Sequence, residues 1–93
     1  MFSRILSRIR QLVLQRQYIV TLHADDEMNP DDLTVYDLER VVLTGAIVER
    51  QTDRVTAESK YRIAGVTVDG TPAETVVKVS ITGKVVFLTV YTL

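Results

Sequence analysis

The chain has no cysteine and no tryptophan, and only four glycines and two prolines among its 93 residues. Without cysteine there is no disulfide framework, thiolate zinc site, thiol nucleophile or redox pair. So little glycine and proline excludes collagen-like and low-complexity chains, and an apolar content of 46% excludes intrinsic disorder. No apolar run reaches the roughly 18–20 residues that a membrane span needs. A glycine-rich phosphate loop, a Ser-His-Asp spacing and an EF-hand loop are absent as well. What remains is one domain, residues 1–93, able to bury only about 60–65% of its unfolded surface.

Net charge is −1, which is poor for a general nucleic-acid binder, but the charges are segregated. Residues 1–18 hold Arg4, Arg8, Arg10 and Arg16 and no acid, whereas 25–39 hold Asp25, Asp26, Glu27, Asp31, Asp32, Asp37 and Glu39 and no base. From residue 40 onward bases exceed acids by two, so the acidic block masks a chain that is otherwise basic. Such a block reads as a solvated surface at helix N-termini, favoured by the helix dipole, or as a docking patch for a basic partner.

Phe2, Ile5, Leu6, Ile9, Leu12 and Val13 recur at helical spacing, with Arg4, Arg8, Gln11 and Gln15 opposite. Residues 1–16 therefore form an amphipathic N-terminal helix that covers one face of a sheet. A transit peptide or a membrane-surface helix shares this composition, whereas a secretory signal would need an uninterrupted apolar region. Tyr18–His23 alternates and is β-branched, predicting a strand, and His23–Met28 a short helical turn stopped by Asn29-Pro30. Thr34 and Asp37 form a capping-box pattern for a helix over 35–44, with Gly45 as a left-handed C-cap. The period then changes to two. Strands are predicted over Ala46–Gln51, Lys60–Val68, Ala73–Ile81 and Val85–Thr92, turning at Asp69-Gly70 and Thr82-Gly83-Lys84. The fold class is α+β, with N-terminal helices packed on one face of a small, mainly antiparallel twisted sheet.

Alternation sorts side chains by face. Thr75, Val77, Val79 and Ile81 are assigned to the core. On the last strand Val86, Leu88 and Val90 oppose Phe87, Thr89 and Tyr91. The less apolar faces align as Lys60/Arg62, Glu74/Lys78/Ser80 and Thr89/Tyr91, so cations and a tyrosine share one surface. Cleavage of RNA by its own 2′-hydroxyl needs a base, an acid and cations for the developing phosphorane charge. Lys and Arg suit the last role and Tyr or His the proton transfers. A solvated sheet face that merely suits β propensity carries the same residue types. His23, the one histidine, is placed for proton transfer or for a local hydrogen bond at a helix start. With Asp25, Asp26 or Glu27 it matches no metal-binding spacing, so no metal and no cofactor is assigned.

His23-Ala24, Met28, Leu33-Thr34, Asp37-Leu38, Gly45-Ala-Ile-Val-Glu49, Gly65, Asp69-Gly70 and Thr89-Val90-Tyr91 follow one another in a recognisable order. Over Tyr18–Tyr91 the chain resembles a bacterial family of unknown-function, toxin-like domains akin to the MqsR and RelE toxins. The resemblance implies a RelE-like fold with helices on one sheet face and RNA on the other. It implies a metal-independent endoribonuclease, an mRNA interferase in the cytoplasm, paired with a cognate antitoxin protein of zinc-finger type; a homodimer is compatible with it. Carried over by position, Lys78, Tyr91, His23 and Arg62 are the catalytic candidates, and Lys60, Arg62 and Lys78 the RNA-binding ones. Asn29-Pro30-Asp31-Asp32 stands where related domains often have Arg. A noncatalytic protein–protein interaction module of the same fold is the rival expectation, and membrane-surface attachment through Phe2–Gln15 a third.

Overall fold

Thr21 divides the first strand from the first short helix. Its hydroxyl accepts the Ala24 amide at 3.1 Å, an N-cap, and its own amide donates to Phe87 O at 3.2 Å. In the computed structural model, which describes Met1–Leu93, β1 is therefore only Tyr18–Val20 and α2 runs Leu22–Met28. His23 lies on that helix, as the predicted turn over His23–Met28 had it, while the strand that alternation carried on to His23 stops at Val20. Before them α1 spans Ser3–Leu14. After them come a 3-10 turn at Asn29–Asp31 and α3 over Val35–Thr44. The predicted capping box is present: Asp37 Oδ2 accepts the Thr34 amide at 2.9 Å and the Thr34 hydroxyl at 3.3 Å. The strands β2 (Ala46–Thr52), β3 (Ser59–Val66), β4 (Pro72–Val79) and β5 (Val85–Thr92) follow.

The sheet order is β1-β5-β4-β3-β2, with β1 parallel to β5 and every other pair antiparallel. The architecture is α+β. Ile9 and Val13 of α1, and Leu38, Val41 and Val42 of α3, are buried against Ile63, Val77, Val85, Phe87 and Val90 of the sheet. These two helices cover one face and leave the other open. α2 instead lies along the edge of β5. Because β1 ends at Val20, the Val90 amide has no strand partner and donates to Glu27 Oε1 at 3.1 Å, which satisfies an edge donor.

Three sequence expectations are corrected. Gly45 is not left-handed: its φ is −92° and ψ −179°. Closeness requires glycine there, since a Cβ would lie 2.5 Å from both Val41 O and Ala64 O. The alternation of β5 breaks at Leu88, the extra residue of a bulge between the pairs Val77↔Phe87 and Val76↔Thr89. Val85 and Phe87 thus face the core, as Val90 does after the bulge, while Thr89 and Tyr91 keep the outer side. Ile81 is not a core residue. β4 stops at Val79 and Ile81 stands fully exposed in the turn.

Candidate functional site

Strand register brings the sheet-face candidates together. Arg62 on β3 pairs with Glu49 of β2 and Val76 of β4, and Tyr91 on β5 pairs with Glu74 of β4. Glu74 is the centre. Its Oε1 accepts Arg62 Nη1 at 2.8 Å and the Tyr91 hydroxyl at 2.5 Å. Arg62 Nε also donates to Glu49 Oε1 at 3.1 Å, an oxygen that Gln51 reaches at 3.0 Å. Glu74 is 12% exposed under these neighbours, whereas the Arg62 side chain is 32% exposed. Its second oxygen, Oε2, accepts no hydrogen bond within the chain.

Each donor perturbs the group it meets. The Tyr91 hydroxyl and then the Arg62 guanidinium hold the Glu74 carboxyl below the usual carboxylate range. Gln51 and Arg62 do the same to Glu49. The bonds to Glu74 and Glu49 raise Arg62, and the bond to Glu74, with some burial, raises the Tyr91 phenol. Charge-assisted bonds favour the ionised carboxylate and the protonated donors. Because the cluster is open to solvent, it orders these side chains more than it stabilises the fold.

The remaining candidates are arranged differently. Lys78 shares the outer face of β4 with Glu74, two pleats along, and its Nζ lies 3.2 Å from Glu58 Oε2. Lys60 sits on the same face of β3, opposite Gln51 of β2, and has no ionic partner. His23 does not join the cluster. It is 72% exposed at the sheet edge, with Nε2 3.4 Å from Glu27 Oε1, and it reaches β5 only through Glu27, which also accepts the Thr89 hydroxyl. Sequence reasoning placed Glu74 on this face without giving it a role. The available signal was a carboxylate in mid-strand among β-branched residues, where Glu is disfavoured unless something holds it.

The surface pocket, of about 300 Å³, lies elsewhere, where Asp31, Asp32, Asp37 and Asp69 meet Thr67 and Thr71. The Thr67 and Thr71 hydroxyls and the Thr71 amide lower the Asp69 carboxyl. No three His, Asp or Glu side chains converge in a geometry that would hold a metal ion. No helix is long and apolar enough to cross a membrane.

These features define a small α+β domain whose helices shield one sheet face and whose other face carries an Arg–Glu–Tyr cluster. A family model described as "Domain of unknown function (DUF4258)" matches residues 20–92, and the chain belongs to that family. The matched stretch takes in Arg62, Glu74, Lys78 and Tyr91 and leaves α1 outside it. No curated protein and no solved structure matches the chain.

Proposed function

We propose that the open sheet face cleaves single-stranded RNA without a metal ion, as the mRNA-directed toxin of a toxin–antitoxin pair of the RelE and MqsR kind. The supporting observation is the convergence of a guanidinium and a phenol on Oε1 of Glu74, which leaves Oε2 for a substrate hydroxyl. In the reaction Glu74 takes the 2′-hydroxyl proton as the 2′-oxygen attacks phosphorus. The P–O5′ bond breaks, and the departing 5′-oxygen takes the Tyr91 proton. Products are a 2′,3′-cyclic phosphate and a 5′-hydroxyl. Water then takes the proton from Glu74 Oε2 and returns one to the Tyr91 phenolate, restoring both groups. Arg62 carries the phosphorane charge. The hydrogen bond between Tyr91 and Glu74 keeps the phenol protonated and the carboxylate ionised, the states from which the reaction starts, while making the phenol a weaker acid and the carboxylate a weaker base.

Lys60 and Lys78 hold the flanking phosphates. RNA binding then requires phosphate to displace Glu58 from Lys78 and Glu49 from Arg62. Both carboxylates are about half exposed and free to swing away. His23, outside the cluster at the sheet edge, takes no part in the reaction. Action on mRNA locates the protein in the cytoplasm, and a cognate antitoxin protein, of zinc-finger type in the form the resemblance implies, is the partner that restrains it. A noncatalytic interaction module is the second reading. It is favoured by the matching of both Arg62 and Lys78 with carboxylates, an arrangement that suits a polar protein interface as well as a phosphate site.

The test is cleavage of end-labelled single-stranded RNA in EDTA by wild type, Lys78→Ala and Tyr91→Phe. Cuts in wild type that fall at least tenfold in both variants, with unchanged circular dichroism, support the reading. No cutting of free RNA or of ribosome-bound mRNA moves the assignment to the interaction module.

A further inference from the structure

The molecule is electrically polarised along its strands, and its two ends differ in a way the open face does not explain. One end is formed by the β2–β3 loop (residues 53–58) and the β4–β5 turn (residues 80–84), which register places side by side through Tyr61↔Val77 and Val79↔Val85. α1 lies across this end. Phe2 packs edge-on against Tyr61 with ring centroids 6.3 Å apart, and Gln17 O, just past the helix, accepts the Val85 amide at 3.0 Å. Arg10 reaches the end of α3, donating to Val42 O and Gly45 O. At 3.6 residues per turn Arg8 points roughly 160° away from Arg10, so Arg4 and Arg8 lie on the flank of α1 remote from α3. Together with Arg16, Arg50, Arg54 and Lys84, they bring to this end six cations that make no ion pair. The opposite end carries the aspartate-lined pocket, with no Lys or Arg between residues 17 and 39 or between 63 and 77.

The basic end also presents the most exposed large apolar side chains of the molecule: Met1, Ile81 at 105% and Val55 at 94%. The two loop tips are held out by internal hydrogen bonds. Asp53 Oδ1 accepts the Val55 and Thr56 amides, and Asp53 N and O bond Glu58 O and Ala57 N. In the turn Ser80 N donates to Lys84 O, Gly83 N to Ser80 O and Lys84 N to Ser80 Oγ. Neither aliphatic tip packs on its own chain, and both sit among unpaired cations.

We propose that this end docks on an anionic phospholipid surface, with Val55 and Ile81 entering the interfacial layer and Arg4, Arg8, Arg54 and Lys84 meeting headgroup phosphates. A phosphate-bearing surface with an apolar layer beneath it complements both features, whereas a nucleic-acid backbone has no use for the aliphatic tips. Contact is made by the end of the fold. The apolar stripe of α1 is committed to the core through Ile9 and Val13, so α1 does not lie in the membrane as a free amphipathic helix. The pocket end faces away, and the sheet face stands beside the bilayer with its outer side open. The inference is independent of RNA cleavage.

The experiment is co-sedimentation of the full chain with large unilamellar vesicles of phosphatidylcholine alone or with a quarter phosphatidylglycerol. Binding is expected only to the anionic vesicles and should weaken as salt is raised. Arg54→Ala/Lys84→Ala should lower the partition coefficient about 25-fold, fivefold for each charge, and Val55→Ser/Ile81→Ser at least tenfold. Asp31→Asn/Asp32→Asn, at the other end, should not lower it. Absence of sedimentation with the anionic vesicles, or partitioning that neither double variant reduces, overturns the proposal. So does capture of a single-stranded RNA 20-mer by this end in place of vesicles, seen as binding lost in Arg54→Ala/Lys84→Ala and kept in Val55→Ser/Ile81→Ser.

Discussion

Replacing Arg10 by methionine removes a guanidinium that ties α1 to α3 while keeping most of the stem's apolar packing. Arg10 Nη2 donates to Gly45 O at 2.6 Å and Nε to Val42 O at 3.2 Å, the carbonyls with which α3 ends and β2 begins. A cation at a helix C-terminus is favoured by the dipole, and a hydrogen bond to a charged group contributes roughly 1.5–3 kcal/mol. The 3.2 Å bond is the weaker and the site is partly exposed, so the loss should be about 2–4 kcal/mol. For a domain whose whole stability is about 5–14 kcal/mol, that is a large fraction. At 4–8 °C per kcal/mol for a chain of this size, the melting temperature should fall by about 8–32 °C. Arg4→Met is the control. That side chain is exposed and hydrogen-bonds to nothing, so its change should stay within about 0.5 kcal/mol. Thermal melts by far-UV circular dichroism, with urea titrations to confirm an unchanged m-value, compare the two. Equal melting temperatures for the Arg10 and Arg4 variants would refute the capping role.

Three more outcomes follow from the packing and the titrating groups. Leu38 is fully buried, and Leu38→Ala should cost about 2–5 kcal/mol, read as a lowered urea midpoint. Gly65→Ala should destabilise by more than the ordinary core change, because its Cβ would lie 2.3 Å from Val41 O, a helix backbone atom with nowhere to move; unaltered melting would contradict the close approach of α3 to β3. Burial, and then a hydrogen bond to Glu39, push the Tyr18 hydroxyl from 10.0 up to about 12. Between those values the unfolded chain has lost a proton that the folded chain keeps, so stability should fall as pH rises from 10 to 12. Tyr18→Phe should flatten that slope.

Local signals carried most of the fold. The helix over Val35–Thr44 was legible because Thr34 and Asp37 cap it and Leu38, Val41 and Val42 mark its buried face. The four later strands were legible because β-branched alternation is bounded by Asp69-Gly70 and Gly83, two glycines with φ of 86° and 82°. Long-range features were not. Nothing near Leu88 announces a bulge, and only pairing with β4 shows the extra residue that turns Phe87 inward. Gly45 offered a glycine after a helix, which suggests a left-handed cap, yet the demand comes from Ala64 O, nineteen positions away. For the site, alternation placed Arg62, Glu74, Lys78 and Tyr91 on one face. It could not say that Glu74 would sit between Arg62 and Tyr91, since that depends on the register of three strands. His23 entered the candidate set through its residue type and the resemblance, and it stands at a helix start beside a carboxylate, Glu27, which was the local alternative for it.

The measurement closest to the central claim is the chemistry of the RNA ends left by wild type and Glu74→Gln in EDTA. Glutamine keeps the shape of the side chain and can still accept from Tyr91, but it cannot take a proton from a 2′-hydroxyl. Wild type should leave 2′,3′-cyclic phosphate and 5′-hydroxyl ends, with cleavage by the variant reduced at least a hundredfold, within the usual range for loss of a general base. Cleavage that persists in Glu74→Gln, or cuts bearing 5′-phosphates, would contradict the claim.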